Sequence, residues 1–404
     1  MRGMLRRLRL STAGESHGPL LTLVVEGLPA GLPFDEARVA RTLARRRAGH
    51  GRSTRQAKEH DDVRVVGGVR HGSTTGAPLA VLVPNEDHAN WGQRVQARAP
   101  DDEAARGHRI TAPRPGHADH AGMVKYALDD ARDVLERASA RETAARAVAG
   151  AVAASLLDAV GVQTFAHVVA LGGTETVHAS LEPGLLARRF TAQEIVARAF
   201  DSPVAVVDDA AAERDMIARI DAAKAAGDTL GGVVEVGAVG VPIGLGSYAT
   251  ADARLDARLA FALMSIPAIK AVEIGHGVQG ARARGSELHD AIVRADDGRI
   301  VRATNRAGGV EGGVSNGETL AARAHMKPLP TLRTALPSID LATGEVHVAH
   351  KERSDVCAVP ACAVVAECML ALVVADALLE RYGGDHLAML VDHVARDRAR
   401  VDAR

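Results

Sequence analysis

Apolar runs broken by glycine, proline and short polar segments divide the chain into alternating strands and helices. Residues 5–10 and the continuous run LLTLVVEGLP, ended by Gly27 and Pro29, predict two strands around the polar loop Gly14-Glu15-Ser16-His17-Gly18. Residues 34–47 have helical periodicity, with Asp35 and Glu36 in the first turn and Arg45, Arg46 and Arg47 in the last. That order complements the helix dipole, and Gly49 stops the helix. Residues 63–69 and 78–83 predict a hairpin across HGSTTG, followed by a polar loop, 85–109, without periodicity. The stretch 114–149 reads as a charged helix entrance continued by alanine-rich turns, a core element whose first part faces a site. Downstream, 163–173 and 230–241 predict strands, and 185–199, 210–226 and 258–266 predict helices, the last ended by Pro267. The most apolar run, 358–379, is interrupted by Glu367 and Asp376, which predicts a buried helix of a large core and no membrane span. Residues 385–404 predict a short amphipathic helix with a charged end that frays.

Composition narrows the function classes. A chain of 404 residues with 47% hydrophobic and 25% charged residues and a formal net charge of -1 has the makings of a soluble globular protein with a sizeable core. That length ordinarily means two or three domains, with a single large layered core as the other option. Aromatic residues make up only 2%, so a groove that stacks bases on rings is hard to build, and the neutral charge argues against a general polyanion binder. Cys357, Cys362 and Cys368 form no C-x-x-C pair and read as reduced structural thiols. The basic start MRGMLRRLRL lacks the apolar segment of a secretory signal, so a cytoplasmic location is expected.

Several clusters carry candidate chemistry. His17, beside Glu15 and Ser16 and between two glycines, is placed to work as an acid or base, or else merely to satisfy a neighbouring carbonyl in a turn. Arg45, Arg46, Arg47, Arg52 and Arg55, with His50, crowd a short segment; they form either a solvated face or a set of forks for phosphate or carboxylate oxygens. Gly116 frees the backbone before His117 and Asp119, and acid–base work fits better than metal binding, because His117 and His120 have no further ligands nearby. Arg137, Ser139 and Arg141 read as a phosphate clamp, or as capping plus salt bridges with Glu136 and Glu142. The glycine cluster 305–317 brings main-chain N–H groups towards an anion or a flat ring, or forms tight turns only. Gly244, Gly246 and Ala249 imitate a dinucleotide fingerprint, but Pro242 and the lack of a helix start speak against it. Asp355 at a helix entry is a cap or a catalytic base.

Taken together, GESHG at 14–18, RPGHAD at 114–119, ERASARETAAR at 136–146, NRAGGVEGGVSNG at 305–317, KPLPT at 327–331 and ERSDVCAVPA at 352–361 resemble the chorismate synthase family. The resemblance runs from about residue 5 to 381, six separated motifs in the family's order, with 385–404 beyond it as a C-terminal helix. It implies one α+β domain over 1–404, a helical layer between antiparallel β-sheets, assembled as a homotetramer. It implies a lyase of the shikimate pathway that makes chorismate from 5-enolpyruvylshikimate 3-phosphate by 1,4-elimination of phosphate, with reduced FMN and no net redox change. NADPH enters only if the chain reduces its own flavin; dependence on a separate flavin reductase is the favoured expectation, since no extra domain is evident.

The same resemblance implies the site. His17, with Arg46, Arg52 and the cluster from Arg137 to Arg141, would serve the leaving phosphate; His117 would stand by the flavin and Asp355 would relay the proton near its N5. FMN contacts carried over by position are Arg137, Ala138, Ser139, Pro267, Ala268, Gly312, Lys327, Pro328, Leu329, Pro330, Thr331 and Arg353. Arg46, Arg52 and Arg141 would take the anionic substrate or NADPH. The sequence departs from the family pattern at His276, where aspartate is common, at His120, where an aromatic residue is commoner, and around His88–Trp91. The alternative is an FMN-dependent oxidoreductase acting on an anionic substrate, which would need a nicotinamide site better than the poor glycine loop at 244–249. A phosphate-binding protein without turnover would not need His17, His117 and Asp355 together.

Overall fold

The computed structural model describes residues 4–53, 62–99 and 107–402. In chain order the main elements are strands β1 (Arg9–Ala13) and β2 (Leu20–Glu26), helix α1 (Glu36–Arg47), and strands β3 (Arg64–Gly67) and β4 (Leu79–Pro84). Helices α2 (Asp119–Tyr126), α3 (Ala131–Ala138) and α4 (Thr143–Ala159) follow, then strands β5 (Gln163–Leu171) and β6 (Thr174–Glu175). Next come α5 (Ala192–Asp201), α6 (Ala210–Ala226), β7 (Gly232–Val239), α7 (Leu255–Met264), β8 (Ile269–Ile274) and β9 (Leu320–Met326). Two helices close the chain, α8 (Val359–Tyr382) and α9 (Leu387–Asp402).

A four-stranded sheet, order β1-β2-β4-β3, and a five-stranded sheet, order β8-β9-β7-β5-β6, are both antiparallel throughout. Alternation in β2 and β4 turns Leu21, Leu23, Val25, Leu79, Val81 and Val83 into the core and leaves their neighbours half-covered. In β7, Val234, Val236 and Ala238 share a face with Gly232, where an added Cβ would meet Val359 of α8. Helices α1, α4 and α8 pack against one another between the two sheets, the α+β layering expected from the sequence.

Small residues make that layer thin. A Cβ built on Gly150 of α4 would lie 2.2 Å from the Cβ of Cys368 and 2.5 Å from its Cα, so α4 and α8 touch almost backbone to backbone. Helix α8 has the length and apolarity of a membrane span, yet it is covered on all sides within the protein. Its two acidic breaks both have partners. Asp376, fully buried, binds Arg258 and accepts from the backbone N–H groups of Arg6, Arg7 and Leu8. Glu367 pairs with Arg45 at 2.6 Å and accepts from Thr164 Oγ1.

Three differences from the sequence reading have physical causes. The stretch 114–149 is not one helix. Ala127 turns left-handed with φ 53°, Asp130 caps α3, and Ser139 caps a short 3-10 turn, Ala140–Glu142, before α4 begins. The first strand begins later than residue 5, because Asp376 takes the N–H groups of residues 6–8 that a strand would have paired. Residues 185–199 contain a 3-10 turn, Leu185–Arg188, and helix α5 starts afresh at a Thr191/Glu194 capping box.

Candidate active site

The breaks between these elements converge on a cavity of about 420 Å³. The loop between β1 and β2 supplies His17, the end of α1 Arg46, and the segment after it Arg52. The turn before α2 supplies Arg114 and His117, and the break between α3 and α4 supplies Ala138, Ser139 and Arg141. Pro267 and Ala268 come from the end of α7, Lys327, Leu329, Pro330 and Thr331 from the chain after β9, and Arg353 and Asp355 from the entry to α8. Leu135, Ile266 and Met326 give the cavity an apolar wall.

The two histidines are held alike. His17 donates from Nδ1 to Glu136 Oε1 at 2.8 Å, and its backbone N–H donates to Glu136 Oε2 at 2.8 Å. His117 donates from Nδ1 to Asp119 Oδ1 at 2.5 Å. Asp119 is completely buried and also accepts from Arg114 through its backbone N–H, Nε and Nη2. Arg114 in turn donates to Thr331 Oγ1 at 2.9 Å, so the KPLPT segment is tied to the RPGHAD turn. Burial alone would raise the Asp119 carboxyl, but hydrogen bonds from His117 and Arg114 hold it well below the usual carboxylate range. Glu136 follows the same logic: burial pushes it up, and His17 with Arg132 brings it below its ordinary value.

The carboxylate Asp355 accepts from Arg52 Nη1 at 2.6 Å and from Ser53 N–H at 2.6 Å, so two residues read separately in the sequence form one ion pair. Among the described residues Arg52 Nε, which is buried, has no hydrogen-bond partner. Arg46 donates to Thr143 Oγ1 and to the Ala140 carbonyl, both at 3.0 Å. Lys327 donates to the Gly116 carbonyl; burial, then the charge of Lys270, lowers its pKa. Ala268 sits at φ 70° without being glycine, and its carbonyl accepts from Lys327 N–H at 3.0 Å, which fixes the bend that brings Pro267 and Ala268 to the rim. Six cations line the cavity against the acids Glu352 and Asp355, so its field favours an anion.

Three candidate residues lie outside this lining. Arg137 reaches back to Thr12 and Gly14 carbonyls. Pro328 is not in the lining although Lys327 and Leu329 on either side of it are, and Gly312 lies in the turn of a small hairpin between Val310–Glu311 and Val314–Ser315. Arg55 lies outside the described residues. Gly244 and Gly246 sit in irregular chain, Gly246 bridging Val314, and no helix opens on them: a 3-10 turn begins only at Ala251 and α7 at Leu255. Among the described residues no group of three His, Cys, Asp or Glu side chains is placed to hold a metal ion.

The structure adds Trp91, whose ring lies 3.7 Å from that of His17, with Arg132 4.9 Å from the indole centre. It also adds Glu352, which bonds Arg132 at 2.8 Å and His350 at 2.8 Å; burial raises it, and those two partners bring it down to about 2.

Comparison with known proteins gives the family of the chain. Residues 8–379 match the family described as chorismate synthase. The chain belongs to the chorismate synthase family. A chorismate synthase of Nocardia farcinica is 51% identical over 403 residues, covering 98% of this chain and 96% of the relative. That of Beutenbergia cavernae is 54% identical over 386 residues, covering 94% and 95%, and that of Mycobacterium tuberculosis strain H37Rv is 52% identical over 394 residues, covering 96% and 95%. A crystal structure of chorismate synthase superposes with a TM-score of 0.79 at 35% identity, covering 99% of this chain and all of that one. The family makes the chain a lyase and accounts for the two-sheet architecture. It also implies a requirement for reduced flavin.

Proposed function

We propose that the chain converts 5-enolpyruvylshikimate 3-phosphate to chorismate and phosphate, and that the cavity between the two histidines seats both the substrate and FMN. The observation that carries this reading is that His17 and His117, each fixed through Nδ1 by a buried carboxylate, line one cavity with Arg46, Arg52 and Asp355. The residues present fit a flavin nucleotide. Leu135, Ala138, Ile266 and Met326 offer a flat ring an apolar wall, Lys327 and Arg353 suit a charged end, and the buried Arg52 Nε lacks an acceptor among the described residues. Bound reduced flavin supplies the electron-rich ring that makes cleavage of an unactivated C–H bond and an allylic C–O bond feasible together.

The protein residues do the rest. Arg46, Arg52 and Arg141 stabilise the departing phosphate, and His17 is the proton donor beside it. His117, backed by Asp119, stabilises negative charge on its side of the cavity. Asp355, oriented by Arg52 and Ser53, receives the proton released from the ring. Arg137, Pro328 and Gly312 enter this reading only if ligand binding or a neighbouring subunit brings them to the site. The chain is read as one catalytic domain in a cytoplasmic homotetramer, using NADPH only through a separate flavin reductase.

The test is an anaerobic assay of the purified protein with 5-enolpyruvylshikimate 3-phosphate and FMN, chemically reduced or oxidised. Chorismate and phosphate should appear together with reduced flavin only. Neither product, with flavin bound, would overturn the reading in favour of an oxidoreductase; product with NADPH as sole reductant would overturn the dependence on a reductase.

A further inference from the structure

Glu136 has no role in the chemistry above, yet it is buried, and its carbonyl and both of its carboxylate oxygens bond the loop that carries His17. Its backbone carbonyl accepts from Ser16 N–H at 2.9 Å, one carboxylate oxygen from the His17 N–H, and the other from the His17 ring. Arg132, one turn earlier on α3, reaches the ring-side oxygen at 3.3 Å and so keeps the carboxylate charged and in place. Other groups steady the same loop without touching the imidazole nitrogens: Asn85 Nδ2 donates to the carbonyls of Ser16 and Gly18, and His88 Nδ1 donates to the His17 carbonyl at 2.9 Å. Trp91 covers one face of the ring.

We propose that Glu136 is the positioning residue of His17: by accepting the hydrogen bond from Nδ1 it orients the ring and turns the opposite nitrogen, Nε2, to the ligand, so that the protonated ring donates from Nε2. An imidazole whose two nitrogens compete for the same role loses half its productive orientations, and a buried carboxylate removes that ambiguity. A glutamine at the same place could either accept from Nδ1 or donate to it, so the orientation would be kept while the tautomer and the charge would not. The claim about the ring stands on geometry alone; its consequence for turnover rests on the proposed reaction.

The chain has one tryptophan, Trp91, so its fluorescence reports the imidazole stacked on it. An imidazolium quenches indole, and the quench should appear as pH falls and should be absent in His17→Gln. Among the described residues the charged groups around the ring include Glu136, its partner Arg132, Glu352 behind Arg132, His88 beneath the loop and Arg141 across the cavity. All but the first are unchanged in Glu136→Gln. That variant should therefore lower the quench midpoint, through the loss of one opposite charge at contact distance. It should also lower kcat about 10- to 100-fold with KM within about threefold, and Glu136→Asp should recover part of the loss. A midpoint unmoved in Glu136→Gln, or a quench that persists in His17→Gln, would overturn the proposal. A midpoint that moves as expected in proteins that never form chorismate would leave the positioning role standing and sink the proposed reaction instead.

Discussion

Replacing Asp119 by asparagine separates geometry from charge at His117. Four donors converge on this carboxylate: Oδ2 takes the backbone N–H and Nε of Arg114, and Oδ1 takes Arg114 Nη2 and His117 Nδ1. Asparagine keeps the shape but offers one oxygen and one NH2. If the oxygen stays with Arg114 N–H and Nε, the amide must donate towards His117, whose Nδ1 then becomes an acceptor and whose proton moves to Nε2. The imidazole presented to the cavity then has no carboxylate to support its protonated form, so the positive charge that would face an anion is lost, and the Arg114 guanidinium loses its carboxylate partner. One misassigned general acid or electrostatic group costs about 10²- to 10⁴-fold in rate, equivalent to about 2.7 to 5.4 kcal/mol at 1.36 kcal/mol per decade. Anaerobic single-turnover kinetics with reduced FMN would measure it, with substrate binding followed separately so that a loss of affinity is not read as a loss of chemistry. A rate within about threefold of the unaltered protein, in a variant that melts normally, would refute the claim that Asp119 sets the state of His117.

Other consequences follow from groups away from the cavity. Burial pushes the Glu235 carboxyl up, but His167 and Arg323 bring it down from 4.5 to about 2, so its stabilisation is present above about pH 4.5 and is lost as pH falls towards 2. Glu235→Gln should cost about 3 kcal/mol in urea unfolding at pH 7, with the gap about 1 kcal/mol smaller at pH 4; an equal gap at both would count against the linkage. Gly150→Ala must push α4 from α8, because the new methyl meets backbone as well as side chain of Cys368, and a loss of about 1 to 3 kcal/mol is expected in the same assay, where an unchanged midpoint would show that the helices part freely. Burial drives Cys357 up to about 11 and Cys362 and Cys368 up to about 12, so none should react quickly with a disulfide reagent at neutral pH until the protein unfolds, and a fast-labelling thiol in the native protein would contradict that.

Local pattern carried the sequence reading where one element decides its own form. Helix α6 matches 210–226 residue for residue, since Asp209 caps it and Gly227 ends it within the chain's own local signals. Helix α8 was legible as buried because the two carboxylates within its apolar run, Glu367 and Asp376, were too few to make a solvent face. The break of the 114–149 stretch was not legible, because Ala127 adopts a left-handed turn that alanine does not advertise. In the site, His17, His117 and Asp355 were visible as polar residues beside glycine or a helix entry. Their partners were less so. Asp119 follows His117 by two residues and could have been paired with it on spacing alone, whereas Glu136 reaches His17 across 119 residues and looked like a helix surface charge.

That difference follows from how the site is assembled. His17 hangs from the four-stranded sheet, in the loop between β1 and β2, while His117 is tied through Arg114 and Thr331 to the segment that leaves β9 of the five-stranded sheet. The two histidines therefore belong to opposite outer layers, and the helices between them set how far apart they stand. A layer built from alanine and glycine, with α4 and α8 in near-backbone contact, is stiff because it has few side chains that can change rotamer. The alanine-rich turns that follow ERASARET thus serve the chemistry indirectly. They hold His17 and His117, from separate sheets, at a fixed spacing, which the proposed removal of two groups from opposite faces of one ring would require.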